Sequence, residues 1–398
     1  MKIATQCAHF EASGNPFDAI SPPIYQTATF RQPTASEFRE YDYTRTANPT
    51  RTLVEQQLAA LEGGTHACAF SSGMAAITAL TRLLKVGDHI IAGNDLYGGT
   101  VRLLDQVLSR VGICVSYVDT TDLEEVRGSF TQRTKLVLVE TPTNPMLRIC
   151  DINALAQVAQ SVDAILAVDN SMLSPCFQQP LAFGADVVIH SATKFLCGHS
   201  DVTAGALITN DSRLHRQLAF QQNAEGAGLS PFESWLLLRG MKTLALRVSR
   251  QNASADTIAH FLSRHSAVEN VYYPGLPSHP GHQLHRAQAT GDGAVITFIM
   301  GNRLLSERFV SATQLFDIAV SFGSVRSTIS LPAAMSHASI PQSLKEKMAP
   351  PPDLVRLSIG IEDVNDLIDD LTQALCVITD RHSNMQKPIG VPDSIQGH

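Results

Sequence analysis

A lysine lies directly after a short apolar run near the middle of the chain. Residues Val187–Ile189 are typical of a strand buried on both faces, and Ser191, Thr193 and Lys194 follow it. In open α/β sheets, ligands bind beyond the carboxyl ends of the strands. An amine at such a place is a candidate nucleophile toward a carbonyl group. The spacing therefore makes Lys194 the first candidate catalytic residue.

An aspartate occupies the same kind of position on a second apolar run. Asp169 follows Ile165–Val168 and precedes Lys194 by 25 residues. A carboxylate there could cap a helix or bind a metal ion. It could also pair with a protonated pyridine nitrogen, which accepts electrons from a carbanion. A lysine and an aspartate at two strand ends favour this last interpretation, so we expect Lys194 to form an imine with pyridoxal phosphate and Asp169 to pair with its ring nitrogen.

Three further segments could bind other parts of such a cofactor and its substrate. The small residues around Gly73 and Met74 indicate a turn before a helix, whose N-terminal amides attract a phosphate. Asn144, in a proline-rich loop, could hydrogen-bond the ring hydroxyl or a substrate carboxylate. Tyr97 could stack on a flat ring. Each has a structural alternative: an ordinary strand–helix turn, a rigid connecting loop and a core tyrosine.

Weaker candidates lie toward the two ends of the chain. Arg356 begins an apolar strand, and its planar guanidinium suits a carboxylate, unless it is a surface residue. The segment 41–51 is rich in groups that could bind an anion, or it is a solvated loop. His279, His282 and His285 recur every three residues, but a proline and a glycine between them would break an aligning helix. We therefore expect no metal site there.

The elements that must position these residues alternate between strand and helix. Seven apolar runs predict strands at 67–70, 89–92, 113–118, 136–139, 165–168, 187–189 and 206–208. Helical segments between several of them indicate an α/β fold with a mainly parallel sheet covered on both faces.

Four segments are predicted along the chain. They are a proline-rich arm (1–50) lying across the body or a neighbouring subunit, a sheet domain (51–245), a smaller C-terminal α+β domain (246–382) and a polar, mobile tail (383–398). A long helical stretch, Trp235–Leu262, is expected to connect the two domains.

Composition excludes several classes of protein. The 398 residues carry a net charge of −7, which argues against nucleic-acid binding. The seven cysteines are scattered and form no Cys-x-x-Cys pair, so neither a disulfide framework nor a zinc site is indicated. No segment is long and apolar enough to span a membrane, and Met1–Ser13 lacks a signal-peptide core. We expect a cytoplasmic protein without a membrane or nucleic-acid partner.

Taken together, the motifs resemble the pyridoxal-phosphate enzymes of cysteine and methionine metabolism. The likeness covers residues 5 to 380 and is carried by five motifs: Tyr43-x-Arg45 with Asn48–Arg51, Ser72–Met74, Asp169–Ser171, Ser191–Phe195 and Arg356–Asp363. It implies the fold type I of pyridoxal-phosphate-dependent transferases, similar to aspartate aminotransferase. It also implies a homotetramer, a dimer of dimers whose active sites are shared across the dimer interface.

The resemblance implies a role for each matching residue. Lys194 would hold the cofactor and act as base and acid, with Tyr97 assisting the proton transfers and stacking on the ring. The remaining roles are pairing with the ring nitrogen (Asp169), binding the phosphate (Gly73, Met74, Ser191 and Thr193), reaching the neighbouring subunit's phosphate (Tyr43 and Arg45) and holding the substrate (Asn144, Ser327, Arg356 and Tyr43).

Three stretches, Gln222–Gly228, Ala319–Ser327 and Met335–Pro341, resemble the plant-type cystathionine β-lyases of this family. This likeness implies cleavage of L-cystathionine to homocysteine, pyruvate and ammonia in methionine biosynthesis. The same motifs would serve a cystathionine γ-lyase, a cystathionine γ-synthase or a methionine γ-lyase, and a non-catalytic cofactor-binding regulator is a remote alternative. Arg326 stands where many relatives have a glutamate, so the preferred substrate among cystathionine, cystine and related thioethers stays open. Because the transit peptide of the plant proteins is lacking, a bacterial cytoplasmic enzyme is expected.

Overall fold

Two β-sheets organise the chain in a computed structural model, which describes residues 1–9, 17–338 and 340–385. The larger sheet has seven strands: β1 (His66–Phe70), β2 (His89–Gly93), β3 (Cys114–Val118), β4 (Thr134–Glu140), β5 (Ile165–Asp169), β6 (Val187–His190) and β7 (Gly205–Thr209). Their spatial order is β1-β7-β6-β5-β4-β2-β3, and only β7 runs antiparallel to its neighbours. The predicted mainly parallel sheet and its seven strands are therefore confirmed.

Helices cover both faces of this sheet, as its burial pattern shows. In β4, Leu136 and Leu138 pack into one apolar cluster, whereas Val137 and Val139 pack into another. Alternate residues of a strand point to opposite faces, so both faces are buried. The helices of this half are α1 (Ile3–Ala8), α2 (Pro49–Leu61), α3 (Gly73–Thr81), α4 (Gly98–Arg102), α5 (Leu123–Gly128), α6 (Ile152–Gln160) and α7 (Ser212–Glu225).

The smaller sheet lies in the C-terminal half and is mainly antiparallel. Its strands are β8 (Asn270–Tyr272), β9 (Val295–Ile299), β10 (Asp317–Ile318), β11 (Thr328–Ser330) and β12 (Leu354–Ser358), in the order β10-β11-β12-β9-β8. The helices are α8 (Pro231–Met241), α9 (Leu244–Ser263), α10 (His282–Gln288), α11 (Arg303–Ala312), α12 (Lys345–Met348) and α13 (Val364–Met385). This agrees with the α+β character expected of the C-terminal half.

The predicted long helical stretch over Trp235–Leu262 is divided into two helices, because α8 ends at Met241 and α9 begins at Leu244. The carbonyl oxygen of Gly240, in the last turn of α8, accepts from the buried guanidinium of Arg247 at 2.9 Å and from the backbone amide of Thr243 at 3.3 Å. These contacts stabilise the break.

The predicted segment boundaries stay predictions, although helices cross all three of them. Helix α9, which begins at Leu244, crosses the boundary at 245. Helix α2 begins at Pro49, inside the predicted arm, because the Asn48 side chain caps it and proline suits a first helical position. Helix α13 continues to Met385, past the predicted end at 382. Residues 386–398 of the predicted tail lie outside the described residues. Within the described part of the chain, no helix combines the length and apolar character that crossing a membrane requires.

Candidate active site

A cavity of about 490 Å³ lies at the carboxyl ends of β4, β5 and β6, facing loops of the smaller sheet. It is lined by most of the residues predicted from the sequence: Gly73, Met74, Tyr97, Asn144, Asp169, Ser191, Thr193, Lys194 and Arg356. The cavity thus lies where ligands bind in open α/β sheets. The structure thus brings together residues that are far apart in the sequence.

Lys194 is held in the cavity by a hydrogen bond and a neighbouring ring. Its Nζ donates to Ser321 Oγ at 2.5 Å and lies 5.0 Å from the centre of the Phe322 ring. Burial lowers the pKa of Lys194 to about 8, and the positive charge of Arg356 adds to this, while Asp169 acts against it. A neutral, nucleophilic amine is therefore far more abundant near neutral pH than for an ordinary lysine.

Two carboxylates stand side by side at the ends of neighbouring strands. Glu140 and Asp169 are the last residues of β4 and β5, and they are paired in the sheet register. Burial raises the pKa of Glu140 well above its usual range, and the nearby charge of Asp169 raises it further. Burial also raises the pKa of Asp169, but hydrogen bonds from Ser171 oppose the rise, and so do the charges of His190 and Lys194. Glu140 therefore holds its proton to a higher pH than Asp169 does.

The N-terminus of α3 provides backbone donors on another side of the cavity. Ser72 caps the helix by accepting a hydrogen bond from the amide of Ala75, and the amides of Gly73 and Met74 belong to the unpaired first turn. A side chain in place of Gly73 would crowd Ser191, three of whose atoms lie 3.0–3.2 Å from the position of its Cβ. The turn is thus shaped so that small residues leave room for an anion.

Tyr97 caps the start of α4 and contributes an aromatic ring to the cavity. Its amide donates to Glu140 Oε1 at 3.0 Å, and its side chain is 40% exposed. A Cβ on Gly99 would overlap the Tyr97 ring, so the glycine permits this ring position. The exposed aromatic face is available to a flat ring, and the alternative of a buried core tyrosine is not met.

Arg356 is a buried cation in the lining of the cavity, not a surface residue. Its two terminal nitrogens donate to Asn144 Oδ1 at 2.8 Å and to the carbonyl oxygen of Ser321 at 2.9 Å. It is 2% exposed, burial lowers its pKa to about 10, and no carboxylate among the described residues forms an ion pair with it. A buried charge of this kind requires an anion, which a substrate carboxylate would supply.

Three predicted residues lie outside the lining of this cavity. Ser327 is fully buried and turns toward Glu362, donating from its amide at 2.6 Å and from its hydroxyl at 3.0 Å. The structure therefore does not bring its side chain to the site. Tyr43 and Arg45 lie together on the surface, with the guanidinium 5.6 Å from the ring centre, and Arg45 donates to Asn223.

The remaining candidates are explained by local contacts. Arg326 is exposed and donates to Asp317 at 3.0 Å. His279, His282 and His285 bind separate backbone partners. In the described ranges, no group of three or more metal-binding side chains is arranged to hold an ion.

Several residues of the site were missed by sequence reasoning. Glu140 ends an apolar run, as Asp169 does, so the same signal was present. Ser321 and Phe322 lie in a loop whose only sequence signal for a functional role is its resemblance to relatives. The backbone of Ser321 adopts φ 83°. His337 contacts the carbonyl oxygen of Asn144 at 3.1 Å, and burial lowers its pKa to about 4, so it is neutral and can donate. No sequence pattern pointed to it.

The donor set fits pyridoxal phosphate. A lysine amine suits the aldehyde, an ionised aspartate suits the protonated pyridine nitrogen, and the first turn of α3 suits the phosphate. Gly73 leaves open the space beside Ser191 that a side chain would fill, and the exposed Tyr97 ring offers a stacking surface. The cavity also retains room for an amino-acid substrate beside Arg356.

Comparisons with known proteins agree with this site. The family model for Cys/Met metabolism PLP-dependent enzymes matches residues 4–376. The chain is similar to chloroplastic cystathionine β-lyase of Arabidopsis thaliana, with 52% identity over 93% of this chain and 80% of the relative. It is 46% identical to a cystathionine γ-lyase of Bacillus subtilis, over 94% of this chain and 99% of the relative. The structure of a Lactobacillus plantarum cystathionine γ-lyase with L-serine superposes with a TM-score of 0.93 at 43% identity, covering 95% of this chain and 100% of that one. The chain therefore belongs to the PLP-dependent enzymes of cysteine and methionine metabolism.

Proposed function

We propose that this enzyme is a cystathionine β-lyase, which converts L-cystathionine and water into homocysteine, pyruvate and ammonia. The observation that carries the proposal is the way Ser321 joins two functional groups: its hydroxyl accepts from Lys194 Nζ and its carbonyl oxygen accepts from Arg356. A proton-transferring amine and a carboxylate-binding cation therefore share one side of the cavity. The similarity to β-lyases of plants and bacteria supports the choice of reaction.

Substrate binding is assigned to the wall formed by Arg356 and Asn144. The guanidinium would bind the α-carboxylate, and Asn144, oriented by its bond to Arg356, would supply a second polar contact. Ser327 acts indirectly in this scheme, because its bonds to Glu362 fix the segment beside β11 and not the substrate itself. The uncharged walls around Met335 and Phe322 exclude water from the reacting atoms.

Proton transfer is assigned to Lys194. When bound, pyridoxal phosphate supplies an electron sink for a carbanion at the substrate α-carbon. The neutral amine of Lys194 takes the α-proton, and its protonated form then donates to the departing sulfur. Asp169 would hold a proton at the ring nitrogen, and Tyr97 would stack on the ring and assist the transfers.

The test of the reaction is to supply L-cystathionine and identify the keto acid. Pyruvate with homocysteine is the expected result. Predominant 2-oxobutyrate with cysteine would overturn the β assignment in favour of the γ-lyase, the function named for the Bacillus subtilis relative. Absence of any turnover by enzyme that carries the cofactor would favour the non-catalytic regulator.

The role of Lys194 is tested by replacing it with alanine. We expect Lys194→Ala to lose both the yellow absorbance of the lysine-bound cofactor and the lyase activity. Lys345→Ala, a change of an exposed lysine outside the cavity lining, is the matched control and should leave both unchanged. An unaltered spectrum in Lys194→Ala would show that the lysine is misassigned.

A homotetramer with active sites shared across a dimer interface accounts for the exposed arm residues. Tyr43 and Arg45 stand on the surface, outside the lining of this chain's cavity, and would contact the phosphate in a neighbouring subunit. Mixing Arg45→Ala with Lys194→Ala chains would then create one intact site per hybrid dimer. Mixing Lys194→Ala with Asp169→Asn, two residues of one cavity, is the control and should restore nothing. No recovery in the first mixture would exclude the shared site.

We assign the enzyme to the cytoplasm. The six cysteines from Cys7 to Cys197 form no disulfide bond in the described ranges, and Cys114 among them is exposed, which suits a reducing compartment. Cell fractionation tests this assignment, and recovery of the protein with an organelle or the periplasm would contradict it.

A further inference from the structure

A buried histidine and glutamate lie next to the strand ends that carry Asp169 and Lys194. His190 is the last residue of β6, and Glu62 directly follows α2. His190 Nε2 lies 2.5 Å from Glu62 Oε1, and both side chains are 1% exposed. Neither residue lines the cavity or takes part in the roles assigned above.

The pair is joined to the strand end that carries Asp169. The side chain of Asn170 donates from Nδ2 to the same oxygen, Glu62 Oε1, at 2.8 Å. The backbone N–H of Asn170 donates to the carbonyl oxygen of Ile189 at 2.9 Å. The network thus connects the residue after Asp169 with the last residues of β6. A change at His190 or Glu62 is therefore transmitted to both strand ends.

The hydrogen bonds of Glu62 indicate a charged pair. Both donors act on Oε1, whereas Oε2 is buried and has no hydrogen-bond partner among the described residues. A buried carboxylate in this state requires a nearby positive charge. His190 is the side chain in contact with it that can carry such a charge.

We propose that Glu62 holds His190 as an imidazolium and that this positive charge keeps Asp169 ionised at the cofactor's ring nitrogen. Glu62 and His190 are then positioning residues, because they act through Asp169 and touch neither substrate nor cofactor. The other charged groups around Asp169 are Glu140 from β4 and Lys194 after β6. Glu140 repels a charge on Asp169, and Lys194 is the amine that would bind the cofactor, so His190 is the neighbour that takes no part in the reaction itself. The inference rests on the role of Asp169 proposed above.

The experiment uses holoenzyme loaded with pyridoxal phosphate labelled with ¹⁵N at the ring nitrogen. His190→Gln and Glu62→Gln should each move the ¹⁵N resonance toward that of an unprotonated pyridine. The pH midpoint of the acidic limb of the kcat profile should also increase by about 1 pH unit, because loss of an opposite charge raises the pKa of Asp169. The double variant should add little to either single change. His285→Gln is the matched control, because His285 is equally buried, lies 3.4 Å from Asp292 and is outside the cavity lining.

Failure of this inference is distinguishable from failure of the proposed site. If Asp169→Asn moves the ring-nitrogen resonance but His190→Gln and Glu62→Gln leave it unchanged, only the role of the pair is overturned. If Asp169→Asn also leaves it unchanged, the proposed role of Asp169 fails. Unsubstituted holoenzyme labelled with ¹⁵N-histidine gives a reading that does not depend on any variant folding. A strongly hydrogen-bonded imidazole with both nitrogens protonated is expected, and its absence would refute the proposal.

Discussion

Replacing Lys194 by methionine should stabilise the cofactor-free chain at neutral pH, and the gain should vanish in alkali. Burial and Arg356 lower the pKa of Lys194 from 10.5 to about 8. One pKa unit corresponds to about 1.4 kcal/mol, so the folded chain bears a cost of about 3 kcal/mol when this lysine is protonated. Loss of the bond to Ser321 and of the Phe322 contact would remove about 1 to 2 kcal/mol from the gain.

The pH dependence separates the charge effect from these lost contacts. Below pH 8, Lys194 is protonated in both the folded and the unfolded chain, and the full cost applies. Between pH 8 and 10.5, the unfolded chain binds the proton and the folded chain does not, so the stability of the wild type rises relative to Lys194→Met. From pH 7 to pH 10 the difference between the two proteins should change by about 2.5 kcal/mol.

Equilibrium unfolding in urea, at one protein concentration and several pH values, measures this difference. Lys345→Met, a change at an exposed lysine, is the control and should shift the free energy of unfolding by less than about 0.5 kcal/mol at every pH. A difference between wild type and Lys194→Met that does not change with pH would refute the reasoning. It would mean that the folded chain does not depress the pKa of this amine.

Three further predictions concern the shape and charge of the cavity. Glu140→Gln keeps a neutral side chain, so the variant should retain activity at neutral pH. Its kcat should also persist to higher pH, because glutamine cannot ionise as Glu140 does in alkali, and loss of activity at pH 7 would contradict this. Gly99→Ala should displace the Tyr97 ring and lower kcat about tenfold, whereas Gly128→Ala, at a glycine with open space around it, should have no effect on steady-state kinetics. Gly205→Ala would press on the turn before α3, so it should weaken cofactor binding by at least tenfold in a reconstitution titration, corresponding to about 1.4 kcal/mol.

The residues that follow a strand were predictable because their position is set locally. Lys194 and Asp169 follow runs of apolar, mostly β-branched residues, and Gly73 lies where a strand turns into a helix. The alternation of these runs with helices also predicts the parallel sheet. For such residues, a position at the end of a strand is enough to predict a position at the cavity, because it does not depend on contacts with distant parts of the chain.

Residues positioned by the smaller sheet were not predictable in the same way. Arg356 is buried because β12 is a central strand, flanked by β9 and β11, and no local pattern distinguishes it from a surface arginine. Ser327 was assigned to the substrate, but it precedes β11 and turns toward Glu362. The adjacency of Glu140 and Asp169 also depends on the order of strands in the sheet, which short sequence patterns do not specify.

Ser321 shows why the site needs both sheets. A non-glycine residue with φ 83° carries a backbone cost of about 1 kcal/mol or more, which persists only where surrounding contacts hold it. Here the hydroxyl binds the lysine that follows β6 of the larger sheet, and the carbonyl oxygen binds Arg356 of the smaller sheet. The same two cations are themselves destabilised, since burial lowers the pKa of both. A strained residue therefore joins two buried cations, and the carboxylate of a bound amino acid would supply the anion that Arg356 lacks among the described residues.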